Sequence, residues 1–276
     1  MDLTEQLAPV LGDAAGSLLV RTDAGVATVE LHQPERHNAV SFAMWSGLAA
    51  LMPVLARRDD VDLVVLRGSP GGPFSAGADI SEFESRRRRP ADAERYGEAV
   101  AAGEGALLAF PKPTLALVQG WAIGGGTQLA LACDLRVCDA SARFGITPAK
   151  LGIVYPLVST GRLVDVVGQG WAAWMLLTGD LVDAEQALRI GLVHRVVPAG
   201  DLEDVVAGLA ASLGERAQIS LRGAKTLLAR VAGGDRDDDA STRELYHASY
   251  ASEEYAEGVT AFLAKRPPDF RGARDR

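Results

Sequence analysis

Two short stretches join an apolar run, a glycine-rich turn and a helix start: Phe74-Ser75-Ala76-Gly77-Ala78-Asp79-Ile80 and Ile123-Gly124-Gly125-Gly126-Thr127-Gln128. Glycine permits sharp turns and close approach of a ligand. A helix N-terminus leaves N–H groups undonated at the positive end of its dipole. Brought together, two such turns could direct two main-chain amides at one oxygen, the chemistry of an oxyanion hole. The same pattern also serves as a plain connection between a buried strand and a helix, and the residues alone leave both uses open. Nucleotide binding is disfavoured: neither stretch has Gly-x-Gly-x-x-Gly spacing, and no Gly-Lys-Ser/Thr follows. A serine-hydrolase elbow around Ser75 fails because Pro73 takes the first glycine position and no histidine lies nearby.

The elements that must position these turns read as an alternating series. Residues 17–22 and 26–32 are β-rich and joined by Asp23-Ala24-Gly25, a hairpin signal. Residues 41–57 have helical apolar spacing, with Pro53 expected to kink or end the helix. A valine-rich run at 61–67 predicts a buried strand leading into the first glycine-rich loop. Residues 91–110 predict a helix, 114–119 a strand entering the second turn, 127–133 a buried helix, and 135–138 a further short strand. This alternation predicts an α/β core. From Trp171 onward the signals are helical: Asp183 with Gln186 marks a helix start and Gly191 a stop. Helices are expected near 201–214, 217–232 and 241–264, the last two separated by the acidic stretch Asp235 to Asp239. The expected division is an α/β core over 1–200 and a helical region over 201–276.

Composition narrows the function classes. Of 276 residues, 48% are hydrophobic and 23% charged, the balance of a globular chain with a sizeable core. The net charge of −8 argues against a broad nucleic-acid surface. Arg86 to Arg89 form one local basic run, expected as a solvated loop or, alternatively, a phosphate-steering patch. Cys133 and Cys138 make no disulfide framework, and the four scattered histidines give no metal-site spacing, so no metal is expected. The N-terminus lacks a signal-peptide pattern, and no apolar run reaches 18 residues, so the expectation is a soluble, cytoplasmic chain with no membrane partner.

Several ordered motifs carry a resemblance. Phe74 to Ile80 is one; Lys112-Pro113 through Gly120, Gly124-Gly125-Gly126 and Cys133-Asp134-Leu135 form a second. Arg36-His37-Asn38-Ala39-Val40 precedes them; Phe144-Gly145, Leu151-Gly152, Thr178-Gly179 and Gly191-Leu192-Val193 follow; Tyr255 to Arg266 closes the series. Over roughly residues 17 to 272 the chain resembles the enoyl-CoA hydratase/isomerase (crotonase) family. The resemblance implies a ClpP/crotonase-like α/β spiral of repeated ββα units, with a helical C-terminal trimerisation region and often a dimer of trimers. It implies an acyl-CoA thioester substrate, with coenzyme A part of that substrate and no tightly bound cofactor.

It also implies roles. Ala78 and Gly125 would donate to the thioester oxygen. Arg36, Ala39, Ala76, Asp79 and Ile80 would line the CoA path, beside Gly77 and Gly124. Phe262 and Lys265 would approach CoA, from a neighbouring subunit in one arrangement. The family's two glutamates fall at Gln128 and Pro148 in this chain. A glutamine orients a water or amide but accepts no proton near neutral pH, and proline offers no side-chain hydrogen bond. Thr147-Pro148, Leu151-Gly152 and Tyr155 are similar to methylmalonyl-CoA decarboxylases of the family, in which a tyrosine lies in the active site; those relatives keep the first glutamate and carry histidine where Ala78 stands. The leading expectation is therefore a hydratase/isomerase-type enzyme that stabilises a thioester enolate. A decarboxylase using Tyr155 and a non-catalytic acyl-CoA-binding protein are the alternatives.

Overall fold

The computed structural model describes residues 1–274. Helix α1 (Thr4–Leu11) precedes the hairpin β1 (Leu18–Asp23) and β2 (Val26–Leu31), whose two-residue turn places Ala24 and Gly25 at φ 45° and 87°. Then follow α2 (Phe42–Ala56), β3 (Leu63–Gly68), the one-turn α3 (Phe83–Arg86), α4 (Pro90–Leu108), β4 (Thr114–Val118), β5 (Trp121–Ile123) and α5 (Gly125–Ala132). Next come β6 (Leu135–Asp139), β7 (Arg143–Gly145), α6 (Leu157–Thr178), β8 (Val182–Asp183), α7 (Ala184–Arg189) and β9 (Arg195–Val197). The chain ends in α8 (Leu202–Gly214), α9 (Gln218–Ala232), α10 (Ala240–Tyr250), α11 (Glu253–Leu263) and α12 (Phe270–Arg274).

A six-stranded sheet has the order β1-β2-β3-β4-β6-β9, antiparallel only at the β1/β2 edge. A smaller sheet, β5-β7-β8, stands beside it. Consecutive strands thus leave the large sheet for the small one, β4 to β5 and β6 to β7, and the first of these pairs feeds directly into α5. The central strand β4 is buried at all five positions, which explains its unbroken apolar sequence: a parallel strand covered on both faces has no polar side to alternate with. One face packs α1, α2, α4 and α5 into the main core, and α8 closes the other by setting Leu202, Val206 and Ala210 on Leu63, Val65, Leu115, Leu117 and Val137.

Two helix expectations change. Pro53 neither kinks nor terminates α2 at once, because it lies in the last turn, and the helix ends at Ala56. The single helix expected over 241–264 is two, because Ser252 leaves helical geometry and its side chain accepts from the Tyr255 amide at 3.1 Å, capping α11. Asp183 does cap α7, accepting from Gln186 N at 2.8 Å.

Candidate active site

The backbone stitches the two glycine-rich turns together. Ser75 N donates to Trp121 O at 2.8 Å, and Ile123 N donates back to Ser75 O at 3.0 Å. The fit leaves no room for side chains: a methyl group on Gly126 would lie 2.7 Å from Ser75 O, and one on Gly77, already at φ 101°, 2.6 Å from Ile123 O. Several surrounding amides are consumed. Ala76 N donates to His37 O, Gly77 N to Ser75 Oγ, Asp79 N to Val40 O and Gly124 N to Gly145 O. The amides of Ala78 and Gly125 are skipped: neither has an acceptor among the described residues. They are neighbours in space, since a methyl group on Gly125 would stand 3.4 Å from Ala78 N, and one on Gly77 3.6 Å from Gly125 N.

Both turns open on one pocket with a cavity volume of ≈ 120 Å³. Ala76, Gly77, Ala78 and Ile80 line it from the first turn, and Gly124, Gly125 and Gln128 from the second. Pro148 and Tyr155 line it from the segment between β7 and α6. Other residues named from the sequence stay outside this lining. Ala39 is buried beneath the first turn, and Phe262, 83% exposed, stands on α11 with Lys265 just beyond the helix end. Arg36 is half-exposed and pairs with the buried Asp79, which also accepts from Ser81 N and Ser81 Oγ. Burial pushes the Asp79 carboxyl up, but the bonds from Ser81 and Arg36 outweigh it and hold the group below its ordinary value. Asp79 therefore braces the turn that carries Ala78.

A carboxylate absent from the sequence reading lies under the pocket. Glu104, on α4 and 3% exposed, accepts through Oε2 from Gln128 Nε2 and from Ser159 Oγ, the latter at 2.9 Å. Gln128 Nε2 also reaches Ser159 Oγ at 2.9 Å. A carboxylate facing the amide fixes which end of Gln128 is NH₂. That NH₂ is spent on protein groups and is not free to orient a water. Burial raises the Glu104 carboxyl above its ordinary range, tempered by the bonds from Gln128 and Ser159. Its Oε1 is buried without a partner.

The Tyr155 hydroxyl is likewise buried and unpartnered. Burial, and then the Glu104 charge, push its pKa up; the nearby Ser159 hydroxyl tempers this but falls short of a formed bond. One sequence signal pointed to Glu104: Tyr96, Val100, Gly103 and Leu107 form the buried stripe of α4, and position 104 falls within it. A lone acid on the apolar face of a helix is the mark to look for. Among the described residues no cluster of His, Cys, Asp and Glu is arranged to hold a metal, and no helix is long and apolar enough to cross a membrane.

Fold and pocket together define an α/β chain with a mostly parallel sheet, two glycine-rich turns meeting at a cleft, and a helical C-terminal region. The chain belongs to the enoyl-CoA hydratase/isomerase family, whose profile matches residues 21–273. It is 39% identical over 256 residues to a Thermus thermophilus protein assigned as an enoyl-CoA hydratase, covering 91% of this chain and 100% of the other. It is 31% identical over 257 residues to the crotonyl-CoA hydratase of Syntrophomonas wolfei, covering 92% and 97%. Among solved structures it is similar to an enoyl-CoA hydratase/isomerase family protein of Hyphomonas neptunium, with TM-score 0.89, 36% identity, and 92% and 97% of the two chains covered. The architecture is the crotonase fold.

Proposed function

We propose that this chain binds an acyl-CoA thioester and stabilises its enolate with the amides of Ala78 and Gly125. The observation that carries this reading is that these two amides are neighbours, undonated and at the rim of one pocket, while Ala76, Gly77, Asp79 and Gly124 beside them have spent theirs on protein acceptors. Donors already in place stabilise the charge that develops on the thioester oxygen more than they stabilise the ground state, and so lower the barrier. Gln128 and Pro148, where the family resemblance expects glutamates, cannot take a proton. Glu104 supplies the missing acceptor through a relay. Substrate binding would first close the short gap between Tyr155 Oη and Ser159 Oγ; the substrate α-proton then passes to Tyr155 Oη, the tyrosine proton to Ser159 Oγ, and the serine proton to Glu104 Oε2. The C–H electron pair moves into the new C=C bond, and the thioester π pair moves onto oxygen between the two amides. Reversal of the relay protonates an enolate formed by addition at the β carbon.

The test is exchange of the α-protons of butyryl-CoA in D₂O, followed by NMR. Exchange above buffer is expected, and Ser159→Ala should slow it by about 10²-fold or more, the usual worth of a positioned acid–base group. Bound butyryl-CoA with no exchange would remove the proton relay and leave a decarboxylase or a non-catalytic acyl-CoA-binding protein. A decarboxylase reading is supported by Tyr155, whose buried hydroxyl could protonate the enolate left when CO₂ departs. Release of CO₂ from methylmalonyl-CoA, abolished by Tyr155→Phe, would select it.

A further inference from the structure

Away from Glu104 and Tyr155, the same pocket carries an unmet demand for a negative charge. Trp45 Nε1, Arg87 Nε and Tyr96 Oη are each buried without a formed hydrogen bond, the indole N–H lying near the tyrosine oxygen but short of one, and all three residues line the cavity. They come from three separate elements: α2, the turn after α3, and α4. Trp45 and Tyr96 are at most 1% exposed. The Arg87 guanidinium sits 4.4 Å from the Phe83 ring centroid and 4.2 Å from that of Tyr96. Stacking on rings holds the cation but leaves its buried Nε–H without an acceptor.

The nearby carboxylates are engaged elsewhere. Glu82 accepts from Phe42 N at 2.7 Å and lies 3.9 Å from Arg86 Nε. Asp79 holds Arg36 and Ser81, and Asp92 holds Arg89 and Arg95. Tryptophan and arginine can only donate, and the tyrosine hydroxyl donates readily. A neutral acyl tail would leave these donors unsatisfied at a cost, whereas a carboxylate accepts from each and neutralises the guanidinium.

We propose that the acyl group bound here ends in a second carboxylate, so that the substrate is the CoA monothioester of a dicarboxylic acid, with Arg87 holding the free carboxylate and Trp45 and Tyr96 beside it. This rests on the acyl-CoA reading of the same pocket. Arg87 is then a specificity residue, and the other three arginines of the run stay on the surface.

The experiment is calorimetry of the full chain with malonyl-, succinyl-, glutaryl- and adipyl-CoA, each against the monocarboxylic acyl-CoA of equal chain length. At least one dicarboxylic member should bind about ten- to a hundredfold tighter than its counterpart, the worth of a charge-assisted bond. Arg87→Met, which keeps the apolar stem without donors, should bring that ratio close to one. If no dicarboxylic thioester is preferred, or if Arg87→Met weakens both members of a pair equally, as a contact to the CoA phosphates would require, the proposal is overturned while the acyl-CoA reading stands. Binding of neither class would overturn both. Should the methionine variant fail to fold, Tyr96→Phe gives a second reading: a narrowed ratio is expected, and an unchanged one counts against the proposal.

Discussion

A carboxyl group that is buried and loosely satisfied reports itself through pH. Burial raises Glu104 above its ordinary pKa, so between the ordinary carboxylate range and its folded value the native state holds a proton that the unfolded chain has released. Stability from this group is therefore present at low pH and falls as pH rises through that window. Glu104→Gln removes the titration. In paired thermal melts, the variant should gain on wild type as pH rises from about 5 to 8, and a constant difference across that range would contradict the burial argument. The same group sets a kinetic limb. Isotope exchange by wild type should rise with pH as Glu104 ionises and becomes able to accept, whereas the glutamine variant should be slow and lack this limb. A purely structural role for Glu104 would lower the rate without altering its pH profile.

At the scale of elements, the site depends on how closely α2 and α4 approach. Gly103 on α4 faces α2 so tightly that a methyl group there would lie 2.7 Å from Trp45 O and 3.0 Å from its ring. Gly103→Ala should therefore part the helices and cost about 1–3 kcal/mol in urea unfolding, the usual penalty for overpacking. It should also weaken acyl-CoA binding, because Trp45 reaches the pocket from α2 and Glu104 follows Gly103 on α4. An unchanged midpoint would mean that the helices yield freely at this contact. The arginine run divides along similar lines. Arg86 stacks on Phe42 at 4.5 Å and Arg89 pairs with Asp92, while Arg87 turns inward onto Phe83 and Tyr96. The expectation of a solvated loop or phosphate patch thus describes its neighbours better than Arg87 itself.

The whole molecule leaves large apolar side chains uncovered at one level of the chain and again near its end. Trp174 and Leu177 on α6 are exposed, as are Tyr250 on α10 and Tyr255, Phe262 and Leu263 on α11. The family resemblance assigns the C-terminal region to trimerisation, and we propose that these side chains are covered by further copies of the chain. Analytical ultracentrifugation should give three or six times the monomer mass, and a monomer at micromolar concentration would refute the assignment. Phe262→Asp, which puts a charge on the exposed apolar tip of α11, should shift the distribution toward monomer.

Local chemistry settles much of this architecture. Valine-rich runs too short and too apolar for surface helices had to become buried strands, and glycine-rich turns had to join strand to helix, because these outcomes depend on neighbours in sequence. That Ala78 should stand beside Gly125 is an expectation the family resemblance supplies, not one the residues give by themselves. What lay beyond reach was set by contacts between residues far apart. The apolar stripe of α4 marks Glu104 as a buried acid, but its partners are set only when α5 and α6 bring Gln128 and Ser159 onto it. Which of four consecutive arginines points inward is decided only where the rings of Phe83 and Tyr96 meet, 5.8 Å apart. Tertiary packing decides such positions because burial, not residue type, determines whether a charge meets water or must find a partner.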